Sequence, residues 1–156
     1  MARWSLDLTE YAKKKGVEIN EVRKTYAFAL YSSIVRKTPV DTGRARANWN
    51  ISVGHPDTST TTSTRKSPKS MSSLPDPKGD ESIFICNNLD YIEKLEYGGF
   101  PNPPKKGTYN KKTKSYEIRS QNGYSKQAPE GMVGVTLANN EQIFDAAVRS
   151  VKGKAR

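Results

Sequence analysis

Arg36-Lys37-Thr38-Pro39-Val40-Asp41-Thr42-Gly43-Arg44-Ala45-Arg46-Ala47-Asn48-Trp49 is the stretch whose reading decides this fold. It predicts the end of a helix, a sharp turn and a strand in direct succession. Upstream, Ile19, Val22, Tyr26, Leu30 and Ile34 recur at spacings of 3, 4, 4 and 4, one face of a helix spanning roughly 18–37. Phe28, Tyr31 and Val35 widen that face, so both sides of the stripe are expected to pack. The aromatic residues can be read as a row for stacking a ligand, but a core-facing helix accounts for them more simply. Pro39 pushes Thr38 out of the helical region. Asp41 and Thr42 can bond to nearby backbone amides, and Gly43 can take a positive φ. An acid-catalytic reading of Asp41 and Thr42 lacks a local His, Cys or second carboxylate.

Downstream, residues 44–53 alternate strictly. Ala45, Ala47, Trp49, Ile51 and Val53 fall on one face, and Arg44, Arg46, Asn48, Asn50 and Ser52 on the other. Period two predicts a strand with one buried and one wet face. The two arginines either solvate the sheet or meet a phosphate or a partner carboxylate. Upstream of the long helix, Asp7-Leu8-Thr9-Glu10 resembles a capping box, with a short helix expected to run to Lys15 and stop at Gly16.

Further along, residues 57–73 hold 11 Ser or Thr in 17. They predict a long loop, either a disordered linker or an arm that orders against a neighbouring subunit. Pro68, Pro75 and Pro77 extend the irregular region to about 80. Ser82 to Asn88 predicts a second strand with Cys86 buried and inert. Leu89 to Glu96 predicts a short helix ended at Gly98. In 100–127, Pro101, Pro103 and Pro104 exclude regular structure at the start. Thr108-Tyr109-Asn110 and Lys114 to Arg119 can pair as a hairpin. Lys105, Lys106, Lys111, Lys112, Lys114 and Arg119 interleave there with Tyr109 and Tyr116, which suits single-stranded nucleic acid and a solvated hairpin alike. Asn139 or Asn140 can cap a last helix to about Val151, with Ile143, Phe144, Ala147 and Val151 on its apolar face.

Composition bounds the rest. The chain has 156 residues, a formal charge of +10 and 34% hydrophobic residues, against a usual apolar share of ~45–50%. One domain, 1–156, is expected, with a core in about 7–53, 82–99 and 127–151 and polar insertions at about 54–80 and 100–126. The charge sits in two blocks: +5 over residues 1–53 and +6 over 100–127, with −3 over 81–99 between them. Such an excess speaks to partners rather than to fold. A single Cys86 excludes a disulfide framework, and one Cys with one His55 makes a zinc site improbable. The longest apolar run, Tyr26 to Tyr31, is far short of the ~18–20 residues of a membrane span. Asp7 and Glu10 stand where a signal peptide would need apolar residues, so folding in a reducing cytoplasm is expected. No phosphate loop, metal cluster or nucleophile elbow is legible, and His55 begins the Ser/Thr-rich stretch, a poor place for a rigid base. No catalytic residue, metal or cofactor is expected.

Three stretches carry a resemblance: Arg36 to Trp49, Asn88 to Gly98, and Gln127-Ala128-Pro129-Glu130-Gly131-Met132-Val133. In this order they resemble the neck or tail-completion proteins of tailed bacteriophages, also described as minor tail components or head-to-tail joining proteins. The helix running into Thr-Pro-Val-Asp-Thr-Gly is the most specific part, and Thr38, Pro39, Asp41, Thr42, Gly43, Trp49, Tyr91, Gly98, Pro129 and Gly131 are its structural residues. The resemblance implies an α+β fold, an antiparallel sheet packed against a long N-terminal helix and a C-terminal helix. It implies a non-enzymatic virion protein made in the host cytoplasm. Its copies would form a ring in the neck, between the portal and its adaptor and the tail tube or tail terminator, with genome DNA passing through the lumen. By analogy, the acidic block with Glu93 and Glu96 would meet a basic block of the next subunit, drawn from Arg44, Arg46, Lys105, Lys106, Lys111 and Lys112. The competing expectation is a small basic nucleic-acid-binding protein. A third is a tail-terminator or tape-associated assembly factor absent from the finished particle.

Overall fold

The computed structural model describes residues 18–65 and 68–154. The helix expected at 7–15 lies outside them. Helix α1 runs Ile19–Lys37 and ends where Thr38 turns to extended backbone ahead of Pro39. Its apolar residues serve two cores. Val22 packs with Val148, Val151 and Phe144, while Tyr31, Ile34 and Val35 pack with Trp49, Ile51, Leu74, Ala128 and Met132. Tyr26 meets Phe144 edge-on, with ring centroids 5.5 Å apart. A helix used on two sides explains why its aromatic residues spread beyond one stripe; Tyr26 and Tyr31 belong to the interior.

The expected strand 44–53 is only half a strand. Arg44–Ala47 is a single helical turn, α2, entered through Gly43 at φ 94. Strand β1 is Asn50–Val53. The helical turn lets Arg46 reach back over the end of α1. Its Nε donates to the Thr38 carbonyl at 3.1 Å and its Nη2 to the Arg36 carbonyl at 3.0 Å, satisfying carbonyls that a helix end leaves open. The expected wet face is wrong as well, because Asn48 and Asn50 are fully buried.

Strand β2, Ile83–Cys86, pairs antiparallel with β1, with Ile51 opposite Ile85 and Val53 opposite Ile83. Ile51, Val53, Ile83 and Ile85 belong to the core cluster. Cys86 is half-buried rather than buried, and burial pushes its thiol up, with the Asp57 charge adding to it. Between the two strands, the Ser/Thr-rich segment is laid on this same chain. Asn48 exchanges two bonds with Thr61, donating to its carbonyl at 3.0 Å and accepting from its amide at 2.7 Å. Asn50 donates to the Asp57 and Ser59 carbonyls, and Asn88 to that of Thr58. The Tyr31 hydroxyl accepts from the Lys69 amide at 3.1 Å. After a 3-10 turn at Met71–Ser73, Leu74 enters the core at 3% exposure. Arg23 then holds the exit of the segment through the carbonyls of Gly79 and Glu81. These bonds are why Asn48 and Asn50 can be buried, since a buried amide must find partners.

Helix α3 is Ile92–Tyr97, shorter than the expected 89–96 at its start and one residue longer at its end. Two small hairpins follow. Thr108–Asn110 (β3) pairs with Ser115–Glu117 (β4), as the spacing predicts, and Ser120–Gln121 (β5) pairs with Tyr124–Ser125 (β6). Among the described residues the antiparallel sheet is therefore three separate two-stranded ladders. Helix α4, Val133–Ala138, and helix α5, Asn140–Lys154, close the fold. Ala147, Val148 and Val151 of α5 are buried against α1. The architecture is α+β, with the long first helix and the C-terminal helix packed together. No described helix is long and apolar enough to cross a membrane.

Candidate functional site

The Thr-Pro-Val-Asp-Thr-Gly turn is built around Thr38. Its hydroxyl donates to the Ile34 carbonyl at 2.8 Å and accepts the Trp49 indole N–H at 2.8 Å. Thr42 receives the Arg44 amide, as expected. Asp41, expected to bond to a nearby amide, instead pairs with Arg119 from the β4–β5 junction. The Val40 amide and carbonyl are both held by the Gln127 side chain, at 2.8 and 3.2 Å. Gly43 is obligatory here, because a Cβ would sit 2.6 Å from the Thr64 carbonyl oxygen at a backbone angle L residues avoid.

The second and third stretches are joined through Glu96. Its carboxylate accepts the amides of Met132, Val133 and Gly134 at 2.7, 2.9 and 2.8 Å. It thereby closes the open N–H groups at the start of α4. Gly131 makes this possible, since a Cβ there would meet the Glu96 carbonyl oxygen at 2.6 Å and its carboxylate at 2.9 Å. At Gly98, with φ 80, a Cβ would meet the Tyr124 ring at 2.8 Å and the Gly123 carbonyl oxygen at 2.9 Å. Pro129 is exposed.

Beside the turn and the Gln127 joint lies a cleft of about 430 Å³. It is lined by Pro39 and Asp41 to Ala45 of the turn and by Tyr91 and Leu95 of the α3 region. Phe100, Pro101, Pro104, Lys105 and Lys106 line it too, with Arg119 and Gln127. The surface is mostly apolar, and its charged residues, Arg44, Lys105, Lys106 and Arg119 against Asp41, leave a positive excess. Arg119 is balanced by Asp41, with the Glu117 carboxylate 3.8 Å away. Lys105 and Lys106 are exposed and have no ion-pair partner among the described residues. Arg44 has its Nε buried without a hydrogen-bond partner, an uncommon state for a buried donor. Burial pushes the Tyr91 phenol up, with the Arg44 charge opposing that rise.

Of the residues singled out in sequence, the cleft gathers Pro39, Asp41, Thr42, Gly43, Arg44, Tyr91, Lys105 and Lys106. Others are elsewhere. Arg46 and Glu96, expected to face a neighbour, spend their polar atoms on the end of α1 and the start of α4. Glu93 is exposed on α3, and Lys111 and Lys112 are exposed on the β3–β4 turn. Thr38 and Trp49 are buried supports. Sequence reading passes over the roles of Arg119, Phe100 and Gln127 in the cleft. The signal that would have placed them is Asn122-Gly123, a strong two-residue hairpin turn, which folds β5 onto β6 and brings Gly123 to the amides of Gly99 and Phe100.

Among the described residues no group of three His, Cys, Asp or Glu side chains is placed to hold a metal ion. Comparisons with protein-family models, with curated proteins and with solved structures find no match to this chain.

Proposed function

We propose that this chain is a non-enzymatic structural subunit of a tailed-phage virion neck. Its copies form a ring that joins the portal and adaptor of the head to the tail tube or tail terminator. One observation carries the reading. The three stretches that resemble tail-completion proteins are far apart in the chain, yet they are bonded to one another around one basic, apolar-walled cleft. Gln127 holds Val40, Glu96 holds Met132 to Gly134, and Tyr91 faces the turn. A site of that kind receives a protein segment more naturally than it performs chemistry. Mass spectrometry and electron microscopy of purified virions test the reading. A ring of this chain between head and tail is the expected result, and its absence from finished particles overturns the reading.

A second reading rests on a different feature. Tyr109 and Tyr116 lie opposite one another on the β3–β4 hairpin, exposed and edge-on at 5.3 Å, beside the Lys111 to Lys114 turn. Aromatic faces among lysines suit stacking and phosphate contacts with single-stranded nucleic acid. Under this reading, binding to an oligonucleotide falls steeply with salt, and Tyr116→Ala weakens it.

A further inference from the structure

We propose that the cleft receives the Glu93–Tyr97 face of a second copy of this chain. The inference deepens the ring reading and rests on its homo-oligomer, though not on its location in a virion. Helix α3 presents distinct faces. Ile92 packs on the core and Glu96 caps α4. Tyr91 and Leu95, four residues apart, line the cleft. Glu93 and Tyr97, also four apart, lie roughly 200° round the helix from that pair. Tyr97 is 76% exposed, the most exposed large hydrophobic side chain among the described residues. Glu93 is exposed beside it, with no ion-pair partner among the described residues.

The two surfaces are complementary. The cleft offers apolar walls at Pro39, Leu95 and Phe100 for an aromatic ring. Arg44, Lys105 and Lys106 provide unbalanced positive charge for the carboxylate beside it. Because donor and receiver lie on opposite sides of one six-residue helix, no copy can fill its own cleft. Each contact is head-to-tail, and repetition of one rotation closes a ring when the angle permits. A phosphate backbone fits less well. It brings no apolar group for those walls, and Asp41 sits among the lining residues.

Native mass spectrometry and light scattering of the full chain test this with Glu93→Lys, Tyr97→Ala, and the pair Lys105→Glu with Lys106→Glu. These side chains are exposed, and circular dichroism checks that each variant is folded. The wild type is expected to form a closed oligomer. Each variant should weaken association ~10-fold or more, because like charges then face one another or the ring is lost. Glu93→Lys combined with both lysine reversals in one chain should restore most of it. An oligomer unmoved by all three variants overturns the interface and leaves the ring reading standing. A wild type that is monomeric at high micromolar concentration overturns both. A labelled single-stranded oligonucleotide that binds the wild type but not the lysine-reversed pair, with association unchanged in both, assigns the cleft to nucleic acid and overturns the proposal.

Discussion

The two insertions are both polar in sequence and end differently in the fold. Residues 54–80, with 11 Ser or Thr within 57–73, are stitched to the core by Asn48, Asn50, Tyr31 and Arg23 and sink Leu74 into it. Residues 100–126 carry more aromatic side chains, yet leave Tyr109, Tyr116, Ile118 and Tyr124 exposed on two short hairpins. Hydrophobic content therefore does not decide which insertion joins the body. What decides it is whether core residues offer polar partners to the segment's backbone. Buried asparagines supply them for the first insertion. The second satisfies its backbone largely within its own ladders.

Substitutions can break that contrast. The largest expected effect is Leu74→Ala, at about 2–5 kcal/mol of unfolding free energy, since Leu74 fills the main core from an otherwise polar segment. Denaturant titration checks it, and a loss near zero would make the first insertion as peripheral as the second. Next comes Asn48→Ala, expected to cost about 1–3 kcal/mol. It strands the Thr61 amide and carbonyl, and it should raise hydrogen exchange at residues 58–62 before the core opens. Tyr116→Ala should cost only ~0.2–1 kcal/mol in the same titration, the worth of one cross-strand pair.

The smallest effect concerns pH. Bonds from the Ser59 hydroxyl and amide, with Lys69 assisting, hold the Asp57 carboxyl below its usual range. A depressed folded-state value means this contribution is complete above the unfolded value. It fades as pH falls through the folded one, in the acid range below about 4. Asp57→Asn should flatten that part of the stability–pH curve.

Much of the fold is legible in the chain, for physical reasons that differ by element. The Ile19–Lys37 helix is legible because apolar spacing and Pro39 agree about where it runs and stops. The β3–β4 hairpin is legible because its turn is flanked by tyrosines in register. The strand expected from Arg44 is misread because alternation over four residues fits a short helical turn buried on two sides equally well. The bonds from Arg46 to the Arg36 and Thr38 carbonyls belong to the turn, and alternation does not show them. The partner role given to Glu96 fails for a similar reason. Its charge is visible in sequence, but the three amides that consume it come from 36 to 38 residues away.

Sequence by itself determined the helix–turn motif at Thr38 to Gly43, the single thiol and the two basic blocks. Each is a matter of local spacing, backbone restriction or counting. Tertiary structure alone decided which charges remain free and which insertion belongs to the body. It also decided that the turn, the α3 region and the Lys105–Lys106 loop share one cleft. Those outcomes depend on partners distant in the chain, and periodicity carries no information about a partner that distance hides.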